Sequence, residues 1–319
     1  MVRYLGPWVW ARAICKKSSF FPMVVSRIMA LASSLIWPFV LPFCLSVVAA
    51  IPTANQIRSE LGPKLSAKTF IYDPASPEFE ESVSRWQPFS SPNVSIVVDA
   101  HTESDVIATI IYANNNSIPF LATTGGHGTF GTLGGLKNGL QIRLRPMNRI
   151  SISADGQYAT MQGGVTNLEV IKTLDAASKE TVTGACECTG VLGAALGGGH
   201  GFHQGHYGLM TDNIIDARVV LANGEVVNVS ATTNTDLFWG LKGAGHNFGV
   251  VTEFNYKIYD KAPHDLWYTE TFFFSTDKLG VVFTQVNKMM ADTPPVELSS
   301  YSTFMHLENI DPVNVSYFR

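Results

Sequence analysis

Two clusters of glycine constrain the backbone of this chain more than any other part of its sequence. The first reads Gly125-Gly126-His127-Gly128, and the second, at residues 197–201, reads Gly-Gly-Gly-His-Gly. Glycine adopts positive φ and lets backbone N–H groups approach a ligand with no Cβ in the way, and successive N–H groups bind phosphate oxygens. Cys186 and Cys188 lie between the clusters, so nucleophilic side chains accompany the glycines. Residues 121–201 therefore predict the site of a phosphate-bearing cofactor that could be attached covalently.

The composition is that of a globular protein with a substantial core. The chain has 319 residues, of which 46% are hydrophobic and 15% are charged, so it could form one large domain or two ordinary ones. Its net charge of -4 argues against a nucleic-acid partner, because such a partner requires a basic face. We therefore expect no nucleic acid among its partners.

The N-terminal region has the features of a secretory signal. Residues 29–50 are apolar, end in Val-Ala-Ala and follow a positive charge at Arg27. Pro38 and Pro42 interrupt the stretch, which disfavours a membrane-spanning helix. We expect residues 1–50 to be a signal peptide or N-terminal apolar segment, and the protein to be secreted or in the secretory pathway. A retained membrane anchor is the alternative, and only then would a membrane be a partner.

Two further features concern the secretory pathway. Removal of the N-terminal segment would leave only Cys186 and Cys188, which are too close in sequence for a favourable disulfide. The chain also has Asn-x-Ser triplets, which are acceptors for N-glycosylation in secreted proteins. These candidate glycosylation sites are Asn93, Asn115, Asn228 and Asn314.

Residues 51–122 predict a lead-in followed by a βαβ-like unit. Residues 51–86 are mixed and polar, and we expect a short helical lead-in. A β-branched run at 95–99 predicts a buried strand. Thr102 and Asp105 then have the spacing of a capping box for a helix that continues to Ala113. A turn at 114–117 and a strand at 118–122 lead directly into the first glycine cluster.

The rest of the chain predicts an α+β domain over residues 87–262. The dinucleotide fingerprint Gly-x-Gly-x-x-Gly does not follow the strand, so a Rossmann site is disfavoured. Strands are expected at 140–144 and 158–162, and the Asn223-Gly224 pair predicts a hairpin. A helix is expected at 167–178 with inward-facing Leu168, Ile171 and Leu174. Beyond 262 we expect a strand at 266–274, a helix at 276–290 and a strand at 298–306, with Phe272 to Phe274 buried on both faces.

Four motifs in order carry a resemblance to a known family. The first, Thr124-Gly125-Gly126-His127-Gly128, resembles the pyrophosphate loop of the vanillyl-alcohol oxidase and p-cresol methylhydroxylase (PCMH) superfamily of flavoenzymes. Met161 to Thr166 is similar to the next turn of that superfamily. The segment 184–213 resembles the berberine bridge enzyme-like branch, especially its fungal members. The segments 236–239 and 243–252 resemble the last signature of the flavin domain.

The resemblance implies a fold and a cofactor. The fold is α+β, with a two-subdomain PCMH-type FAD-binding domain at 87–262 and the beginning of an antiparallel α/β substrate domain at 263–319. FAD would be attached through His127 to the flavin 8α-methyl group, and in bicovalent members also through Cys186 to flavin C6. The implied cofactor-binding residues are Thr124, Gly125, Gly126, His127, Gly128, Thr129, Gly163, Cys186, Gly190, Gly193, Gly198, Gly199, Val250 and Val251. The catalytic base of such enzymes comes from a later part of the substrate domain, so no catalytic residue is assigned.

The resemblance also implies an activity, with alternatives. A small organic substrate would give a hydride to flavin N5, and O2 would be the acceptor, in fungal secondary metabolism. A carbohydrate or alcohol oxidase is one alternative, and a flavin-binding remnant without catalysis is another. A zinc site is a third, because the cysteines could join three evenly spaced histidines. Those ligands would be Cys186, Cys188, His200, His203 and His206, but we expect no metal, and we expect Cys188 and Asp212 to have structural roles.

Overall fold

The computed structural model describes residues 51–262, 268, 270, 272–291, 293–302, 304–306 and 316–318. The α-helices are α1 Ala54–Leu61, α2 Phe79–Val83, α3 Glu103–Asn115, α4 Asn167–Asp175, α5 Val191–Ala195, α6 Gln204–Tyr207, α7 Thr235–Ala244 and α8 Leu279–Ala291. The strands are β1 Phe70–Tyr72, β2 Val94–Asp99, β3 Phe120–Thr123, β4 Gly139–Arg143, β5 Ile150–Ile152, β6 Tyr158–Gln162, β7 Lys179–Glu180, β8 Ile214–Val220, β9 Val226–Ser230, β10 Val250–Lys257, β11 Tyr259–Asp260, β12 Phe274–Ser275, β13 Phe304–His306 and β14 Ser316–Phe318. Short 3₁₀ helices include Gly131–Gly135 and Met210–Asn213.

The first sheet has the strand order β1-β2-β4-β3, in which β2, β4 and β3 are parallel. Helix α3 connects β2 to β3, and Thr102 caps it in a capping box with Asp105, so the predicted βαβ-like unit is confirmed. In the register of β2 and β4, Asp99 lies opposite Arg143, and the two form an ion pair of 3.0 Å. The parallel strands end at the same edge, and the first glycine cluster begins there.

The second sheet is antiparallel, with the order β5-β6-β10-β8-β9. The predicted hairpin is confirmed between β8 and β9, and Gly224 has φ +83° in its turn, which glycine adopts without strain. The core of this sheet includes Phe254 and Tyr256 of β10. Val220 of β8 and Val250 of β10 instead pack into the core of the first sheet, so the second sheet contributes side chains to that core. The α+β class predicted from the sequence is thus observed.

Helix α4 differs from its prediction in length and in its buried face. It ends at Asp175, and its buried residues are Asn167, Val170 and Leu174, whereas Ile171 is 44% exposed. Residues 167, 170 and 174 lie on one helix face because they are three and four positions apart. Asn167 is buried without cost because its side-chain amide donates to the Cys186 carbonyl oxygen at 2.8 Å. The prediction of Ile171 as inward-facing was wrong because it assigned burial by apolarity alone.

The lead-in at residues 51–86 contains a strand as well as helices. Besides α1 and α2, it contributes β1, which pairs antiparallel with β2 through Phe70 opposite Asp99. The carboxylate of Asp105 accepts hydrogen bonds from the Ser66 N–H and the Thr69 hydroxyl, which ties the lead-in to the start of α3. The lead-in is therefore part of the first sheet and its packing.

The predicted elements after residue 262 are only partly present among the described residues. The helix is observed as α8, preceded by a 3₁₀ turn, and the strand predicted at 298–306 is limited to β13. Phe272 is 59% and Phe273 is 48% exposed, so their prediction as buried on both faces was wrong. Among the described residues, the strand comprises Phe274–Ser275 and pairs with β14, so Phe272 and Phe273 precede it outside the sheet. Residues 266, 267, 269 and 271 of the predicted strand, residues 1–50 and Asn314 lie outside the described part of the chain.

Candidate cofactor site

The loop from Thr124 to Thr129 follows β3 and has a shape that only glycine permits. A Cβ on Gly125 would lie 2.5 Å from the Cys188 carbonyl oxygen, and Gly126 has φ +67°. None of the backbone N–H groups from Gly125 to Thr129 donates to an acceptor within the described residues. Because unpaired N–H groups in a turn attract anions, this loop has the donors that a diphosphate requires.

The loop forms one wall of a cavity of about 600 Å³. Other walls come from segments 189–196, 220–222 and 246–251, and from Ile110 and Phe120 of the first sheet's layer. The implied cofactor residues that line this cavity are Thr124, Gly125, Gly126, His127, Gly128, Gly190, Gly193, Val250 and Val251. Four segments that are separated in the sequence therefore meet at one cavity.

The remaining implied residues lie beside the cavity or away from it. Gly163 accepts a hydrogen bond from the Thr124 hydroxyl at 2.9 Å, so it supports the loop from behind. Gly198 and Gly199 have φ +107° and +71°, and their carbonyl oxygens accept from Thr211 and Met210 at 2.9 Å. These two glycines shape the turn before the 3₁₀ helix Met210–Asn213. Thr129 and Cys186 do not line the cavity.

The cavity also has residues to which the sequence assigned no role. The Arg85 side chain lines it and donates to the Gly128 carbonyl oxygen. His246 Nε2 donates to the Gly193 carbonyl oxygen at 2.8 Å, and its ring meets Phe130 edge-on at 5.9 Å. His246 lies inside the last motif, whose pattern could have suggested it. Arg85 lies in the lead-in, and only the fold brings it to the loop.

His127 lies where this cavity meets a second one of about 600 Å³, which Arg85, Trp86 and Cys188 also line. Its ring stacks on Trp86 with 5.7 Å between centroids and 13° between planes. Burial lowers the pKa of His127 below its usual value of 6.5, and the nearby Arg85 charge lowers it further. The imidazole is therefore neutral at pH 7, as a nucleophile must be.

The two cysteines lie next to His127. Cys188 Sγ is 3.1 Å from His127 Nε2 and 3.2 Å from Cys186 Sγ, and both thiols are free and exposed. The hydrogen bond between them lowers the pKa of Cys186 and raises that of Cys188. Cys186 is therefore the thiol that ionises first, and Cys188 is its donor.

The structure does not bring the three spaced histidines to the cysteines. His200 Nδ1 lies 2.9 Å from Gln204 Oε1, and His203 Nδ1 lies 3.7 Å from a Glu180 carboxylate oxygen. Across the described residues, the His/Cys/Asp/Glu group that could hold a metal comprises His127, Cys186 and Cys188, within 4.8 Å of one another. The zinc set with His200, His203 and His206 is therefore not formed, and Arg85 beside His127 would repel a cation.

Several peripheral predictions can also be placed. The Asp212 carboxylate accepts from the Leu209 N–H at 2.9 Å at the start of the 3₁₀ helix, so its interpretation as a cap is confirmed. The side chains of Asn93, Asn115 and Asn228 are exposed, as glycosylation would require. Within the described residues, no helix combines the length and apolarity needed to cross a membrane.

Comparisons with known proteins show the family to which the chain belongs. Residues 94–230 match the family described as FAD binding domain. An FAD-linked oxidoreductase of Penicillium roqueforti, anuG, is 40% identical over 288 residues, which are 85% of this chain and 56% of that protein. This chain thus spans about half the length of that curated relative.

Solved structures have the same fold. The 6-hydroxy-D-nicotine oxidase of Arthrobacter nicotinovorans is 27% identical with a TM-score of 0.67, covering 79% of this chain and 55% of that one. The glucooligosaccharide oxidase of Acremonium strictum, whose FAD is 6-S-cysteinyl and 8α-N1-histidyl, has a TM-score of 0.67 at 24% identity. That match covers 82% of this chain and 53% of the oxidase, and at this identity it establishes the fold alone.

Proposed function

Because this chain belongs to the family of FAD-linked oxidoreductases and carries their FAD binding domain at residues 94–230, we propose that it binds FAD and oxidises a small organic substrate. Bound flavin would supply a hydride acceptor at N5 and pass two electrons to O2, giving hydrogen peroxide. The chain's own residues would bind the cofactor, orient it and limit its contact with water. Each of these roles rests on the geometry of the cavity.

The donor set of the loop fits a dinucleotide. The free N–H groups from Gly125 to Thr129 would hold the diphosphate, and Arg85 would add a positive charge next to them. Val250 and Val251 lie along the same cavity and would contact the adenosine half. The open side of Gly193, where an added Cβ would meet nothing within 4 Å, would face the flavin ring.

One observation carries the proposal: Gly125 to Thr129 have five consecutive N–H groups without a partner among the described residues, and the first four of these residues line the cavity. The test is FAD binding by the purified chain, measured by quenching of flavin fluorescence. Gly125→Ala places a Cβ 2.5 Å from a backbone oxygen and should weaken binding at least about tenfold, as the loss of one charge-assisted hydrogen bond would.

Gly131→Ala is the matched control, because its Cβ would meet nothing within 4 Å and its φ is not positive. It should bind FAD within about twofold of wild type. A wild-type chain that is folded but does not bind FAD would refute the proposal. Equal affinities for the two variants would refute the role of the loop.

We further propose covalent attachment of FAD through His127, with Cys186 as a second attachment. The glucooligosaccharide oxidase named above has both types of bond, which motivates the assignment. His127 is neutral and lines the cavity, and the pKa of Cys186 is lowered, so both are suited to act as nucleophiles. Flavin should remain with the denatured chain in His127→Ala or in Cys186→Ala through the other bond, and it should be lost in the double variant. Full retention in the double variant would contradict the assignment.

We propose a secondary metabolite as the substrate and O2 as the acceptor. The 40% identity to the Penicillium roqueforti protein supports FAD-linked oxidoreductase chemistry, and the substrate class follows from the resemblance of segment 184–213 to fungal members of the berberine bridge enzyme-like branch. The alternative is flavin binding without turnover. Hydrogen peroxide production on a panel of phenols, alcohols and amines distinguishes the two, and oxidation of oligosaccharides alone would overturn the substrate class.

We also propose entry into the secretory pathway through residues 1–50, with glycans on the exposed Asn93, Asn115 and Asn228. Expression in a eukaryotic host and N-terminal sequencing of the secreted protein would test this. A mature N-terminus near Ile51 and a mass decrease on deglycosylation are expected. Retention of the protein inside the cell without glycans would contradict it.

A further inference from the structure

Three side chains from two distant segments form a continuous chain of contacts. His127 Nε2 meets Cys188 Sγ at 3.1 Å, and Cys188 Sγ meets Cys186 Sγ at 3.2 Å. His127 and Cys188 are 61 residues apart, and no contact of this type follows from the sequence motifs. Cys188 thus lies between the two residues proposed to attach the flavin.

The direction of these hydrogen bonds follows from the chemistry of the thiols. The bond between the cysteines lowers the pKa of Cys186 and raises that of Cys188, so the Cys188 S–H points to Cys186. The Cys188 sulfur is then left to accept a hydrogen bond from His127 Nε2–H. A neutral imidazole with its proton on Nε2 has a free lone pair on Nδ1.

The surroundings of His127 agree with this tautomer. Within the described residues, Nδ1 of His127 has no hydrogen-bond partner, whereas Nε2 has Cys188. Trp86 stacks on the ring and restricts its rotation. The imidazole is therefore held by two contacts and leaves one nitrogen available to a ligand.

We propose that Cys188 is a positioning residue for flavin attachment: its sulfur holds the His127 proton on Nε2, so that Nδ1 is the nucleophile. This inference rests on the proposed function, since it concerns attachment of the FAD that the cavity would bind. In the attachment reaction, a bond forms between Nδ1 and the flavin 8α carbon, which loses one hydrogen. The imidazole gives its Nε2 proton to Cys188, whose own proton goes to the Cys186 thiolate and from there to O2. Together with the proton from the 8α carbon, this supplies the two protons that O2 takes up with two electrons as hydrogen peroxide, so atoms and electrons balance.

The first test examines the tautomer without flavin. In the ¹⁵N-labelled full chain, the two imidazole nitrogens of His127 have distinct chemical shifts for the protonated and unprotonated atoms. Wild type and Cys188→Ser should show the Nε2–H form, because both sulfur and hydroxyl oxygen accept hydrogen bonds. Cys188→Ala should show a mixture of tautomers. A wild-type chain in the Nδ1–H form would overturn the proposal.

The second test measures attachment after addition of FAD, as flavin retained on the His127 peptide by mass spectrometry. Cys188→Ala should attach flavin about five- to tenfold more slowly, the effect expected from one lost hydrogen bond, and Cys188→Ser should recover most of the rate. The Cys188 side chain is exposed, so both variants should fold and bind FAD reversibly with near wild-type affinity. Equal rates for wild type and Cys188→Ala, or flavin bonded to Cys188 itself, would overturn the positioning role.

The two tests separate this inference from the proposed function. A wild-type chain that binds no FAD refutes the proposed function, while the ¹⁵N shifts still decide which nitrogen Cys188 holds. A wild-type chain that binds FAD but never attaches it to His127 retains the proposed cofactor and refutes both the proposed attachment and this inference. Attachment to His127 at equal rates in wild type and Cys188→Ala refutes this inference alone.

Discussion

Removal of the Asp105 carboxylate should destabilise the first sheet and its lead-in. Asp105 is fully buried and accepts from the Ser66 N–H at 2.6 Å, the Thr69 hydroxyl at 2.7 Å and the Thr102 N–H at 2.8 Å. Asp105→Ala removes the capping box, worth about 1 kcal/mol. It also leaves two half-buried backbone donors, the Ser66 and His101 N–H groups, without a partner among the described residues, at about 1 kcal/mol each. We expect the free energy of unfolding to fall by about 3 kcal/mol.

The assay is guanidinium unfolding followed by tryptophan fluorescence at pH 7. Asp105→Asn keeps one acceptor oxygen and should lose about half as much. Asp236→Ala is the control, because Asp236 is exposed and has no hydrogen bond or ion pair within the described residues, and it should lose less than about 1 kcal/mol. If Asp105→Ala matched this control, the reasoning about the buried carboxylate would be refuted.

The Asp105 carboxylate should also make the stability of the fold depend on pH in the acid range. Burial alone would raise the pKa of Asp105, but the hydrogen bonds from Ser66, Thr69 and Thr102 lower it below its usual value of 3.8. Because the folded pKa is lowered, the stabilisation is present above pH 3.8 and is lost as the pH falls through the folded value. Asp105→Asn should therefore show a smaller loss of stability than wild type in that acid range. An equal loss of stability in Asp105→Asn and wild type over that pH range would contradict this.

Three further predictions concern other parts of the chain. Gly164→Ala would place a Cβ 1.9 Å from the Leu144 carbonyl oxygen, and it should lower the free energy of unfolding, measured by thermal unfolding, by at least about 3 kcal/mol. Gly62→Ala is the control, because its Cβ would meet nothing within 4 Å, and it should leave the stability nearly unchanged. Hydrogen bonds outweigh burial at Glu169 and lower its pKa from 4.5 to about 2. The stability of the wild-type chain should therefore fall as the pH drops from 4.5 to 2, and Glu169→Gln should show a smaller fall over that range. The rate of flavin attachment should fall on acidification with its midpoint at a pH below 6.5, because protonation of His127 removes the nucleophilic lone pair. A midpoint above pH 6.5 would count against the lowered pKa of His127.

The sequence by itself determined the features that depend on the local backbone. The glycines at 125 and 126 are required by a close approach and by a positive φ, and the Asn223-Gly224 turn and the Thr102 capping box depend on residues a few positions apart. Such requirements leave a pattern in the sequence because few residue types satisfy them. The FAD binding domain was indicated by the resemblance of four motifs, in order, to a known family of flavoenzymes.

Only the tertiary structure decided which distant side chains meet. Arg85 reaches the loop from the lead-in, and Cys188 contacts His127 across 61 residues, because the first sheet, the loop and the segment after α4 pack against one another. Burial of Asn167 in place of Ile171 was likewise decided by packing, since the Cys186 carbonyl satisfies the buried amide. Contacts of this kind depend on the path of the whole chain, and apolarity and spacing along the sequence do not encode them.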